Sequence, residues 1–341
     1  MRHLFRSHTQ MIYTLRFALM ICSALFQIQC QTSQKNNYLM TGNQYAKDGL
    51  WREAVESYRR GIAKEPQNLT AHRNLGMVLV KVGNYKDAIR YLEKSLALFR
   101  DNFDANYYLA EAFRASEKFA DAIFYYQKAL KIKSHDTRTL KALAWSYFRI
   151  RYYSEALTTA GKLYKIAPRD SQSAIITART LIKLKRFRDA LNAIRNVKEE
   201  ASKHDLPYLE SVEGDVFFEL NQIAKAGKLY KNAIKKQPLL AGALLGLGKC
   251  YLRQKKLKKA ITYIERASRI RPFLTEAHLL LGKAWEPLNW QKAIKHYQNF
   301  KKQASTDPEY LGMLADVKKR IATLKKEAGS GSAEKPGKRS L

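Results

Sequence analysis

From about residue 35 to about residue 307, apolar residues recur at helical rather than strand spacing, in pairs of segments separated by short polar breaks. The stretch from Leu244 to Pro272 is the clearest example. Leu244, Leu247, Tyr251 and Leu252 share one helical face ahead of the polar residues Arg253 to Lys256, and Ala260, Ile264 and Ala267 share another after them. The spacing predicts two amphipathic helices joined by a tight turn. Pro272 closes the second, because proline has no N–H with which to continue a helix. Gly248 and Ala260 are small where two such helices must approach, and a larger side chain there would hold them apart. A single hairpin of this kind cannot bury its own apolar face, so it needs neighbours.

The neighbours follow at a fixed interval. Gly214, Gly248 and Gly282 are 34 residues apart, as are Phe217, Tyr251 and Trp285, and Ala226 and Ala260. A period of this length predicts a stacked helical array. The units run Lys35 to Asn68, Leu69 to Asn102, Phe103 to Asp136 and Thr137 to Asp170, with a fifth from Ser171. The charged stretch Lys198 to Asp205 then breaks the period by two residues, which maps to a loop between hairpins. Further units run from Pro207 to Leu240, from Ala241 and from Thr275, the last one residue short in its turn at Pro287. Pro308 to Glu327 predicts one more helix, with Tyr310, Leu311, Leu314, Val317 and Ile321 on the face that covers the array's end. The expected organisation is a signal or anchor segment at 1–30, a tether at 31–34, the array at 35–307, a capping helix at 308–327 and a disordered basic tail at 328–341.

The ladder of small, aromatic and proline positions resembles the tetratricopeptide repeat family over Lys35 to about Asp307. The resemblance implies an all-α fold: a right-handed superhelical solenoid of about eight helix-turn-helix repeats, with a concave groove lined by the first helix of each. Ser95 and Leu163 depart from the family at its usual alanine positions, Arg100 and Ser134 at its proline positions, and Ala160 at an aromatic position.

Composition changes this picture in two ways. Lys and Arg total 62 against 30 Asp and Glu, a formal charge of +32, which favours acidic partners; along the sequence this charge reads as spread over the array. The N-terminus carries Arg2, Arg6 and Arg16 ahead of the apolar run Phe17 to Ile28, the pattern of an export signal. Cys30 and the polar run after it resemble the lipidated cysteine and tether of a bacterial lipoprotein, although Gln27, Ile28 and Gln29 depart from the usual lipobox. The expectation is an exported protein of the periplasm or outer membrane, with membrane association through a lipid on Cys30. Cys250 is expected to be a small core residue.

No phosphate-binding glycine loop, H-E-x-x-H pattern or nucleophile elbow occurs. The histidines are scattered among units, and His278 and His296 are too far apart in sequence to share a helical turn. No enzyme, cofactor or metal site is therefore expected. The groove implied by the resemblance offers a binding site instead. Its inward positions in the third to fifth units hold Tyr107, Glu111, Arg114, Arg138, Lys141, Trp145, Phe148, Arg149, Arg179 and Lys183. Cations beside aromatic rings suit an extended acidic or mixed acidic–apolar protein segment. Some family members clamp a peptide's terminal carboxylate with asparagines and cations; Asn43 and Asn74 match those asparagines, but Leu39, Asp104 and Tyr108 stand where the cations would be. The expected function is a non-enzymatic protein-binding scaffold of the cell envelope. The alternative is a basic array that binds an anionic polymer, nucleic acid or polysaccharide, with nucleic acid disfavoured.

Overall fold

A computed structural model describes residues 38–305 and 310–329. The signal segment, the tether, Cys30 and the tail beyond residue 329 lie outside the described residues. Those described are all helical, with no strand among them. Eight hairpins follow in order. Hairpin one pairs α1 (38–47) with α2 (Trp51–Lys64), and hairpin two pairs α3 (Leu69–Lys81) with α4 (Tyr85–Leu98). Hairpins three and four are α5 (Phe103–Ala115) with α6 (Phe119–Ile132), and α7 (Thr137–Arg149) with α8 (Tyr153–Ile166). Hairpins five and six are α9 (Ser171–Lys183) with α10 (Phe187–Lys198), and α11 (Leu206–Glu219) with α12 (Ile223–Lys236). Hairpins seven and eight are α13 (Ala241–Arg253) with α14 (Leu257–Ile270), and α15 (Thr275–Trp285) with α16 (Trp290–Ala304).

The chain divides into two compact units, up to Glu155 and from Ala156. In the first, one core cluster runs from Ala54 to Leu143. In the second, successive clusters centre on Ala178, on Tyr230, on Ile264 and on Phe300. α2 packs on α3, α4 on α5 and α6 on α7 in the first unit, and α10 on α11, α12 on α13 and α14 on α15 in the second; first helices also touch one another, α3 with α5 and α9 with α11 with α13. In the second unit the first helices thus share one face.

Local chemistry sets the hairpin boundaries. Asn68, Asn102, Asp136 and Asp170, each 34 residues after the last, cap first helices by accepting from the backbone N–H three residues on, at 2.7 to 3.0 Å. At the other end of the first helices, one residue per turn takes a left-handed conformation: Gly49, Gly83, Glu117, Arg151, Lys185, Asn221 and Lys255. The next N–H then reaches back five residues, as from Lys118 to Phe113 and from Lys256 to Tyr251, both at 2.9 Å. Hairpin eight breaks the series: Glu286 stays helical, Pro287 follows, and Asn289 is extended and caps α16.

The small residues do what their spacing predicts. A methyl group added at Gly42 would lie 2.6 Å from the Tyr58 ring, and one at Gly214 would lie 2.8 Å from the Tyr230 ring. Added at Gly248 or Gly282 it would collide with Ile264 or Tyr297. Cys250 is buried in this core, and burial pushes its thiol up to about 11. The terminal helix differs from the single predicted one. A short 3₁₀ turn at Leu311–Met313, with Gly312 at its centre, precedes α17 (Leu314–Gly329). Glycine is a weak helix former, and the regular helix starts only beyond Gly312. α17 buries Val317 and Leu324 against α16.

Candidate functional site

In hairpins one, three and six a tyrosine of the second helix organises the interior. Its hydroxyl reaches one residue of the first helix, and in hairpins one and six its ring lies across the glycine just before that residue. Tyr58 donates to Asn43 at 2.7 Å and Tyr230 to Asp215 at 2.8 Å, while Tyr126 donates to Glu111. Asn43, Glu111, Trp145, Arg179, Asp215 and Lys249 all occupy this one repeat position, allowing for the two-residue insertion. Hairpin four departs from the rule, with Trp145 at that position and Ala160 in place of the tyrosine.

In the first unit, α5 and α7 present an aromatic strip bordered by cations. Tyr107 stacks on Phe103 with centroids 6.2 Å apart and meets Tyr108 edge-on at 5.2 Å. The Arg138 guanidinium lies 5.2 Å over the Tyr107 ring, steered by Asp136 at 3.3 Å. Burial, helped by the Glu111 charge, pushes the Tyr107 phenol up to about 12. Two turns along α7 from Arg138, Trp145 and Phe148 stack at 5.3 Å, both half-buried, and Phe148 touches Tyr153 at 5.9 Å. Lys141 is half-buried on the same helix. The exposed Arg149 lies 4.6 Å over Phe119, with Glu117 at 3.9 Å. Arg114 is placed differently: it bonds Glu111 at 2.6 and 3.2 Å, inside the Tyr126 network, so its guanidinium is committed within hairpin three. The asparagines of the clamp position bond each other, Asn74 donating to Asn43 at 2.8 Å.

Arg179 and Lys183 belong to the second unit. Lys183 is exposed at the end of α9. Burial draws the Arg179 guanidinium below its usual range, opposed by the Asp215 carboxylate, and burial likewise holds Asp215 above the usual carboxylate range. Lys249 pairs with Glu276 at 3.0 Å. Arg179, Asp215, Lys249 and Glu276 therefore alternate in sign along α9, α11, α13 and α15. This ladder joins first helices to one another rather than offering Arg179 as an isolated cation. It was missed in the sequence because Asp215 and Lys249 look like ordinary surface charges until the repeat aligns them with Arg179.

His278 and His296, remote in sequence, meet across α15 and α16 with Nδ1 atoms 3.3 Å apart and rings stacked at 5.6 Å. The Pro272 carbonyl, 3.3 Å from His278 Nε2, can only accept. His278 therefore donates through Nε2 and, through Nδ1, accepts a hydrogen bond from the Nδ1–H of His296. Burial, with His278 adjacent, lowers His296 to about 4. Among the described residues no three or more metal-ligating side chains cluster, and no helix is long and apolar enough to cross a membrane.

Family models described as tetratricopeptide repeat match residues 67–135 and 212–274, and one described as TPR repeat matches 42–83. A model of anaphase-promoting complex, cyclosome, subunit 3 matches 115–197. No curated protein matches the sequence. Among solved structures, a tetratricopeptide repeat protein from Parabacteroides merdae superposes with a TM-score of 0.66 at 16% identity, over 74% of this chain and 99% of that one. The APC/C hetero-tetramer Cut9–Hcn1 gives 0.57 at 13% identity, over 80% of this chain and 52% of that one. A monomeric IFIT1 mutant with Gppp-AAAA gives 0.59 at 16% identity, over 87% and 74%. At these identities the likeness shows the fold alone, and no catalytic family is indicated. Family models and solved folds together support placing this chain in the tetratricopeptide repeat family.

Proposed function

We propose that this chain is a non-enzymatic scaffold of the cell envelope that holds an extended acidic or mixed acidic–apolar segment of a protein partner along the first helices of its first unit. Tetratricopeptide repeats generally mediate protein–protein interaction as scaffolds, and Cut9–Hcn1, a similar fold, is a hetero-tetramer. The observation that carries the reading is the α5–α7 strip. Arg138 over Tyr107 and the stacked Trp145–Phe148 pair put cations beside half-exposed rings, so carboxylates and apolar side chains of one segment both find counterparts. The envelope location rests on the Arg-flanked run Phe17 to Ile28. Anionic-polymer binding is the second reading; it rests on the charge of +32 and on a similar fold solved with Gppp-AAAA.

A photo-crosslinker at Phe148, used in the native host, identifies the partner, and paired measurements of melting and affinity on Trp145→Ala then test the site. An anchor role predicts an intact fold and binding weakened by about 2 kcal/mol or more. A core role predicts destabilisation of about 3–5 kcal/mol. As a control for general charge, Lys325→Ala with Lys326→Ala should leave binding unchanged where Arg138→Ala with Arg149→Ala weakens it. If both pairs weaken it equally, the site is wrong. Intact mass of the native protein tests export: a chain still beginning at Met1 and found in the cytoplasm overturns it.

A further inference from the structure

Charge in the second unit is sorted by helix. α12 has five lysines and no acidic residue, α16 has four lysines and none, and α14 has only Glu265. By contrast α11 carries Glu210, Glu213, Asp215 and Glu219 with no Lys or Arg. In the second unit the basic charge is thus heaviest on α12, α14 and α16, while the first helices α9 and α13 carry two cations each.

The loops that leave α12 and α14 carry the two most exposed large apolar side chains among the described residues, Leu239 at 69% and Phe273 at 87%. They are 34 residues apart, so they occupy the same place in consecutive hairpins, each just after a proline. Exposed cations flank them, Lys235 in the last turn of α12 and Arg271 after α14. The Phe273 loop is fixed: the Pro272 carbonyl accepts from Gln303 at 3.0 Å and from His278 at 3.3 Å. Gln303 brings the end of α16 to this loop, and with it the exposed Lys301 and Lys302. Neither lysine has an ion pair among the described residues.

We propose that this loop edge docks on the surface of an anionic lipid bilayer, with Leu239 and Phe273 in the headgroup–acyl boundary and the surrounding cations at the headgroups. Basic residues around protruding apolar tips are what such an interface takes up, and each Lys or Arg at an anionic membrane surface strengthens binding by roughly fivefold. A nucleic acid fits less well. The edge is richer in lysine, a hydrated point charge, than in arginine, which binds phosphate bidentately, and Leu239 has no ring on which a base could stack.

Flotation of the full chain with phosphatidylcholine vesicles, with and without phosphatidylglycerol, tests the proposal. Binding should require the anionic lipid and weaken with salt. Leu239→Ser with Phe273→Ser should reduce it by about tenfold or more, as should Lys301→Glu with Lys302→Glu, while melting is unchanged because all four side chains are exposed. Phe273→Trp should give a blue-shifted emission component on the mixed vesicles. Equal binding to both vesicle types, or tip variants that bind like the parent, would overturn the proposal. So would binding to single-stranded DNA or heparin without any binding to anionic vesicles.

Discussion

Tyr230 donates its hydroxyl to Asp215 at 2.8 Å while its ring lies across Gly214, the residue just before that aspartate. Gly246 of the next hairpin closes on the same ring, so the tyrosine joins two hairpins. Asp215 is a carboxylate that burial disfavours and that the Arg179 charge and the Tyr230 donor together offset. Tyr230→Phe should therefore destabilise the second unit by about 1–3 kcal/mol, the cost of losing a hydrogen bond to a charged acceptor. Tyr58→Phe, whose acceptor Asn43 is neutral and also bonds Asn74, should cost less. Denaturant unfolding of both variants checks the order, and similar losses would argue against it.

The left-handed turn residues make a prediction of opposite sign. Glu117, Arg151, Lys185 and Lys255 hold φ between 57° and 68° despite their side chains. That conformation costs such residues roughly 1–2 kcal/mol, partly offset in glycine by its extra unfolded-state freedom. Lys255→Gly and Arg151→Gly should each stabilise by about 0.5–1 kcal/mol, and the two should add because the turns belong to different compact units. Thermal melts of the single and double variants test this.

Gly248→Leu tests the packing ladder. Its side chain would meet Ile264 and the Ala260 carbonyl at once, and overpacking of this kind costs about 1–3 kcal/mol. Hydrogen exchange should quicken in hairpins six to eight and stay slow elsewhere, since repeats are coupled mainly to their neighbours. Uniform acceleration would contradict that coupling.

The histidine pair gives a pH dependence. Both folded-state values are depressed, so the unfolded chain binds protons first as pH falls. The stability held by neutral His278 and His296 is complete above about pH 6.5 and is lost as pH drops towards about 4. Lys292 and Lys295 lower His296 in the same direction as burial and His278. Melting temperature measured across that window should fall, and His296→Gln should flatten the curve.

The hairpins were legible in the sequence because close helix approach demands small residues, and the repeat places them at Gly214, Gly248 and Gly282. The 3₁₀ turn at Leu311–Met313 was not, since Leu311 and Leu314 fit a continuous helical face as well as a broken one. The candidate site was legible only as residue types. That Arg138 covers Tyr107 depends on how α7 packs beside α5, and that Arg114 turns to Glu111 depends on Tyr126 arriving from α6. The fifteen-residue tyrosine–acceptor spacing could have been found, had polar as well as small positions been aligned by repeat. The sorting of charge between α11 and α12 needed only the helix boundaries.

In hairpin eight, Lys283 stands where a tyrosine would look for an acceptor, and Tyr297 donates instead to Glu286. The other oxygen of Glu286 receives Arg320 of α17 at 2.7 and 3.0 Å. One carboxylate thus recognises both the last hairpin and the helix that stops the stack. A tandem copy of hairpin seven inserted before Thr275 would find familiar surfaces on both sides and lengthen the protein. A copy placed after Ala304 would have to evict α17 and strand Glu286. Growth by duplication is open before Thr275 and closed after Ala304.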